Sequence, residues 1–87
     1  MTTRDNILSV QVVHGDRILY EGEATSVSSR NDKGRFDILP QHANYIALIK
    51  DFVSIAKTQG KEQQIVMKTG ILRAYENKVQ IFLGFDS

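Results

Sequence analysis

Ile7-Leu8-Ser9-Val10-Gln11-Val12-Val13, running into His14-Gly15-Asp16, decides the fold class. Leu8, Val10 and Val12 fall on one face, and Ile7, Ser9, Gln11 and Val13 on the other. Such alternation marks a half-buried strand. The triplet that ends it is a turn, with a glycine free to take positive φ. The same period of two continues outward. Arg17–Gly22 is a second short strand with Ile18 and Tyr20 on one face, and Glu23–Ser29 a third whose only large apolar residue is Val27. Arg35–Leu39 resumes the alternation with Phe36 and Ile38 until Pro40 removes a donor. Tyr45–Lys50 is a dense apolar run of a length that suits a buried strand.

Phe52–Lys57, with Val53 and Ile55 on one face, and Glu62–Lys68, with Ile65 and Met67 together, flank a loop containing Gly60. Gly70 interrupts the pattern, and Ile71–Tyr75 and Val79–Leu83 form a closing pair around Glu76-Asn77-Lys78. No stretch of ten residues has a helical period. Roughly eight to ten short strands at regular spacing predict an all-β sandwich or barrel.

The chain has 87 residues. That is the length of one domain, expected to be a single β-sandwich over 1–87. Eleven Lys and Arg against ten Asp and Glu give a net charge of +1, without the basic excess of a general nucleic-acid binder. There is no cysteine, and two histidines cannot supply a three-ligand zinc site alone. The longest uninterrupted apolar run, Tyr45–Ile49, is far below the roughly 18 residues of a membrane span. Met1–Asn6 is polar, unlike a signal peptide. These features predict a small soluble protein of the cytoplasm. A domain this small buries only about 60–65% of its unfolded surface, so a docking surface suits it better than a deep enclosed site.

Few residues point to catalysis. His42 could act as a base, with Asp37 nearby in sequence, but a loop histidine making a local contact is the simpler reading. Glu21 and Glu23 share a strand face near Asp16 and read as solvated carboxylates. Gly34 has no companion glycines to cradle a phosphate. Arg30, Lys33 and Arg35 form a small basic cluster that is either ordinary surface charge or an electrostatic docking loop. The aromatic residues are scattered, and core packing accounts for Phe36, Phe52 and Phe82 better than a base-stacking face does.

Two segments go beyond generic β patterning. Tyr20-Glu21-Gly22-Glu23-Ala24-Thr25-Ser26-Val27 is followed, after a polar loop, by Gly34-Arg35-Phe36-Asp37-Ile38-Leu39-Pro40-Gln41-His42-Ala43. Together with Gly70-Ile71-Leu72-Arg73 and Asn77-Lys78-Val79-Gln80-Ile81, they resemble the N-terminal β-sandwich domain of the epsilon subunit of F-type ATP synthase, over roughly positions 7 to 83. Asp37, Asn44, Asp51 and Thr69 depart from that family's usual Gly, Pro, Gly and Gly.

The resemblance implies a flattened sandwich of two roughly five-stranded sheets. It also implies a short form that lacks the family's C-terminal helical hairpin. The implied role is a non-catalytic rotor subunit of the central stalk, which packs on the gamma subunit of F1 and rests on the polar loops of the c-ring. Carried over by position, Asn31, Asp32, Lys33, Arg35 and His42 would meet the c-ring, and His14, His42, Tyr45 and Ala47 the gamma subunit. For Tyr45, core packing is the competing account. No metal, cofactor, nucleic acid or nucleotide is expected to bind. The implied location is peripheral, at the cytoplasmic side of the bacterial inner membrane. The alternative function is a small β module that binds another protein or single-stranded nucleic acid.

Overall fold

In the computed structural model, which describes residues 6–41 and 44–84, the alternating runs become six strands. These are β1 (Leu8–His14), β2 (Arg17–Asn31), β3 (Gly34–Ile38), β4 (Tyr45–Lys57), β5 (Glu62–Tyr75) and β6 (Lys78–Leu83). The sequence reads nine shorter runs because three strands bend. β2, β4 and β5 each continue through a point where the alternation falters. In β2 the register shifts between Ala24 and Ser26 and again between Ser29 and Arg30, and in β4 it shifts between Lys50 and Asp51. Asp51 there takes φ +76°, the left-handed conformation that explains why glycine suits this position. Such bulges sharpen local twist and let one strand pass from one layer into the other.

The pairing order is β1-β6-β5-β4-β2-β3, with β1 also paired to β2. That last pairing closes the ring. The first layer consists of the first half of β2, β1, β6, the second half of β5 and the first half of β4. The second consists of β3 with the remaining halves of β2, β4 and β5. β1 and β6 run parallel, whereas the other pairings are antiparallel. The chain thus joins its first strand to its last, and the body measures 44 × 26 × 20 Å. Among the described residues, no helix is long and apolar enough to cross a membrane.

Every strand sends its alternate apolar residues into one core. Leu8, Val10 and Val12 come from β1, Ala24 and Val27 from β2, and Ile38 from β3. Ile49, Val53 and Ile55 come from β4, Leu72 and Ala74 from β5, and Val79, Ile81 and Leu83 from β6. These are the faces that the alternation assigns. Tight turns close the hairpins. Gly15 (φ +64°) follows β1, and Glu76 and Asn77, both at positive φ, join β5 to β6. The Asn31 side chain accepts the Lys33 N–H at 2.8 Å, fixing the turn between β2 and β3.

Four expectations change. Ile18 and Tyr20 do not share a face. The bulge at Val12/Val13 pairs Tyr20 with Val12 facing the core, and Ile18 with Val13 facing outward. Tyr45–Lys50 is a strand, but it is buried on one side only. Ile46 and Leu48 are 70% and 76% exposed, because the first layer has its outer face open. Phe82 lies between the inward Ile81 and Leu83, so it points outward. Phe52 sits outside as well, beneath the Arg35 guanidinium at 5.6 Å.

Tyr20 carries a testable pH signature. Burial raises its hydroxyl above the usual 10.0, and the nearby Glu23 carboxylate adds to the rise. Its O–H donates to the Glu23 carbonyl at 3.0 Å. The fold therefore holds the neutral phenol more firmly than the unfolded chain does. This contribution is complete below about pH 10 and is lost as pH rises through the folded-state value. Urea midpoints measured across that window fall less steeply for Tyr20→Phe than for the parent. Identical slopes would exclude the assignment.

Candidate functional site

The register places the outward side chains of the first layer in rows. Leu48 of β4 stands beside Ile71 of β5, Ile71 beside Phe82 of β6, Phe82 beside Val13 of β1, and Val13 beside Ile18 of β2. This apolar row crosses all five segments of the layer. Its ends, Leu48 and Ile18, are 76% and 55% exposed. The neighbouring row runs Ile46, Arg73, Gln80, Gln11, Glu21. Here Gln11 donates to the Glu21 carboxylate at 3.2 Å. A contiguous apolar strip bordered by polar side chains is what a protein-docking surface requires.

The outer face of the second layer is different. Its row runs Asp37, Ser28, Ser54, Gln64. Ser28 donates to Asp37 at 2.6 Å, and Ser54 donates to Glu62. Hydroxyls and carboxylates along this row satisfy one another, whereas two residues along the strands Phe52 stands beside Val66, which is 82% exposed.

The hairpin tip between β2 and β3 lies against the edge of β4. Asn31, Asp32 and Lys33 line a groove of about 310 Å³ with Tyr45, Ile46, Ala47 and Leu48. The structure thus brings three of the residues assigned to the c-ring next to two assigned to the gamma subunit. Within the groove, Tyr45 packs edge-on against Phe36 at 5.5 Å between centroids, and the Asn31 amide donates to its hydroxyl at 3.3 Å. Both Tyr45 and Ala47 lean on the core, and the outward side chains are their neighbours Ile46 and Leu48. The period of two within β4 already contained this information, but the density of apolar residues there masked the phase.

The remaining site residues are dispersed. Arg35 sits on the second-layer face, 3.8 Å from Asp37 and over Phe52, away from the hairpin groove. His14 is exposed at the far end of β1, paired with Leu83 of β6, across the layer from Tyr45. His42 lies outside the described residues. Carboxylates stand near two cations of the basic cluster and near Lys50, all at the surface. Arg30 meets Asp51 at 3.3 Å, Arg35 meets Asp37, and Lys50 meets Asp32 at 3.3 Å. Lys33 makes no ion pair among the described residues. Among the described residues, no three His, Asp or Glu side chains converge as metal ligands would.

Comparison with known proteins places this geometry. The chain is 29% identical over 72 residues to the ATP synthase epsilon chain of Nitratiruptor sp., covering 82% of this chain and 56% of the relative. It is 32% identical over 74 residues to the ATP synthase epsilon chain of Leptospira borgpetersenii, covering 85% and 58%. The chain thus spans little more than half the length of these relatives. A chain in the Euglena gracilis mitochondrial ATP synthase (OSCP/F1/c-ring) structure superposes with a TM-score of 0.84 at 15% identity, over 90% of this chain and 51% of that one. A chain in the central stalk/c-ring structure of Tetrahymena thermophila mitochondrial ATP synthase gives 0.72 at 10% identity, over 87% and 62%. The family model of the ATP synthase Delta/Epsilon chain β-sandwich domain matches residues 7–83. With that span of sequence matched and the sandwich in place, the chain belongs to the ATP synthase delta/epsilon β-sandwich family.

Proposed function

We propose that this protein is a non-catalytic rotor subunit of the central stalk of an F-type ATP synthase, coupling the gamma subunit to the c-ring during proton-driven ATP synthesis. The observation that carries the reading is the apolar row Leu48–Ile71–Phe82–Val13–Ile18, open on one face of a closed, stiff body. A rotor element needs two attachments and a body that transmits torque. Ladder hydrogen bonds and a packed core provide the stiffness. In this reading the gamma subunit covers the apolar row, with His14 and the Tyr45–Ala47 edge at its borders. The tip residues Asn31, Asp32 and Lys33, with Arg35 and His42, face the polar loops of the c-ring. The protein then lies peripheral to the membrane, on the cytoplasmic side in a bacterium, and carries no catalytic site of its own.

Co-expression with the gamma subunit from the same source, followed by size exclusion, tests this. A stable 1:1 complex is expected, and two separate peaks would reject the stalk role. Leu48→Asp puts a charge in the apolar row without touching the core and is expected to weaken gamma binding roughly tenfold or more. Lys33→Glu is expected to leave gamma binding unchanged and to weaken docking on the c-ring. If Leu48→Asp binds gamma as the parent does, the face is wrongly assigned.

A further inference from the structure

We infer that the outer face of the first layer is self-complementary and that, in the isolated protein, a second copy of this chain covers it. The argument is the order of charges along one row. Arg73 on β5, Gln80 on β6, Gln11 on β1 and Glu21 on β2 stand side by side in register. The cation and the carboxylate sit at opposite ends, with an amide pair between them. Consider a twofold axis along the strands, between β6 and β1, that lays one such face on another. Arg73 then lies over Glu21 of the second copy, and Gln80 over its Gln11. In the apolar row, Ile71 lies over Ile18 of the second copy, and Phe82 over its Val13. In the third row, Tyr75, Lys78, Ser9 and Glu23, Lys78 lies over Ser9 of the second copy and Glu23 over its Tyr75, so no like charges meet there. One symmetry operation therefore matches apolar to apolar and charge to opposite charge, as an isologous interface must.

The competing occupations of these groups are weak. Arg73 stacks on the Tyr75 ring at 4.2 Å, and Glu21 accepts from Gln11 at 3.2 Å, both at the surface. The size of the face sets the strength. Four overlapping segments about 4.8 Å apart and three rows about 7 Å apart cover about 400 Å² per copy. That is below the standard interface, so a weak, readily reversible dimer is expected. The inference does not depend on the rotor role. It requires only this face, and its test involves no other subunit.

Sedimentation equilibrium of the whole chain, from about 10 μM to 1 mM at low salt, reads the association directly. A monomer–dimer equilibrium is expected. Arg73→Glu and Glu21→Arg, both exposed and outside the core, each raise the dissociation constant roughly tenfold. The double variant Arg73→Glu/Glu21→Arg restores it, because the charges are exchanged and remain opposite. A monomer up to about 1 mM would overturn the inference and leave the face to a different partner. Single reversals without effect, or a double variant that does not recover, would overturn the arrangement.

Discussion

Gly70→Ala lowers the stability of this domain by about 3 kcal/mol, the upper end of what an overpacked core costs. Gly70 sits where β5 passes between layers, paired with Ile49 of β4 and Leu83 of β6. Its φ is not in the left-handed region, so alanine is not excluded by backbone conformation. Space is what excludes it. An added Cβ would lie 2.8 Å from the Phe82 carbonyl oxygen and 2.8 Å from the Leu83 side chain. Leu83 can shift, but the carbonyl belongs to the neighbouring strand and moves only if the ladder opens. A domain of this size shifts its melting temperature by about 4–8 °C per kcal/mol, so a fall of about 12–24 °C is expected by calorimetry. A variant melting within a few degrees of the parent would show that the β5–β6 pairing yields locally.

Ile81→Ala is the second large loss, about 2–5 kcal/mol. Ile81 is fully buried at the middle of β6, between Val12 of β1 and Leu72 of β5. Truncation there leaves a cavity beside both neighbours of the parallel β1–β6 contact, which joins the first strand to the last. Phe82→Ala is the control. It removes a larger side chain, but from the outer face, and is expected to lower stability much less in urea. Equal losses for the two would mean that Phe82 is packed more like a core residue than the alternation of β6 allows.

The all-β class, the turns and most of the core follow from the sequence because each depends on neighbours in the chain. Alternation in Leu8–Val12, Val79–Leu83 and Phe36–Ile38 assigns the buried faces correctly, since a pleated strand has a strict period of two. Residue chemistry also places the turns at Gly15, Asn31 and Asn77, where left-handed backbone or a side chain bonding its own main chain is needed. The motif around Tyr20–Val27 and Gly34–Ala43 carries the family.

What the tertiary structure alone decided is phase and partnership. One bulge at Val12/Val13 separates Ile18 from Tyr20, and that slip puts Ile18 at the end of the apolar row. The irregularity between Lys50/Asp51 of β4 and Met67/Thr69 of β5 continues strands that look broken in sequence, because crossing between layers needs a local irregularity rather than a turn. The row from Leu48 to Ile18 draws on residues from five strand segments, and its existence depends on the β1–β6 and β1–β2 pairings. No local pattern contains those pairings. They are settled by which arrangement buries every strand's apolar face at once, and that is a property of the whole chain.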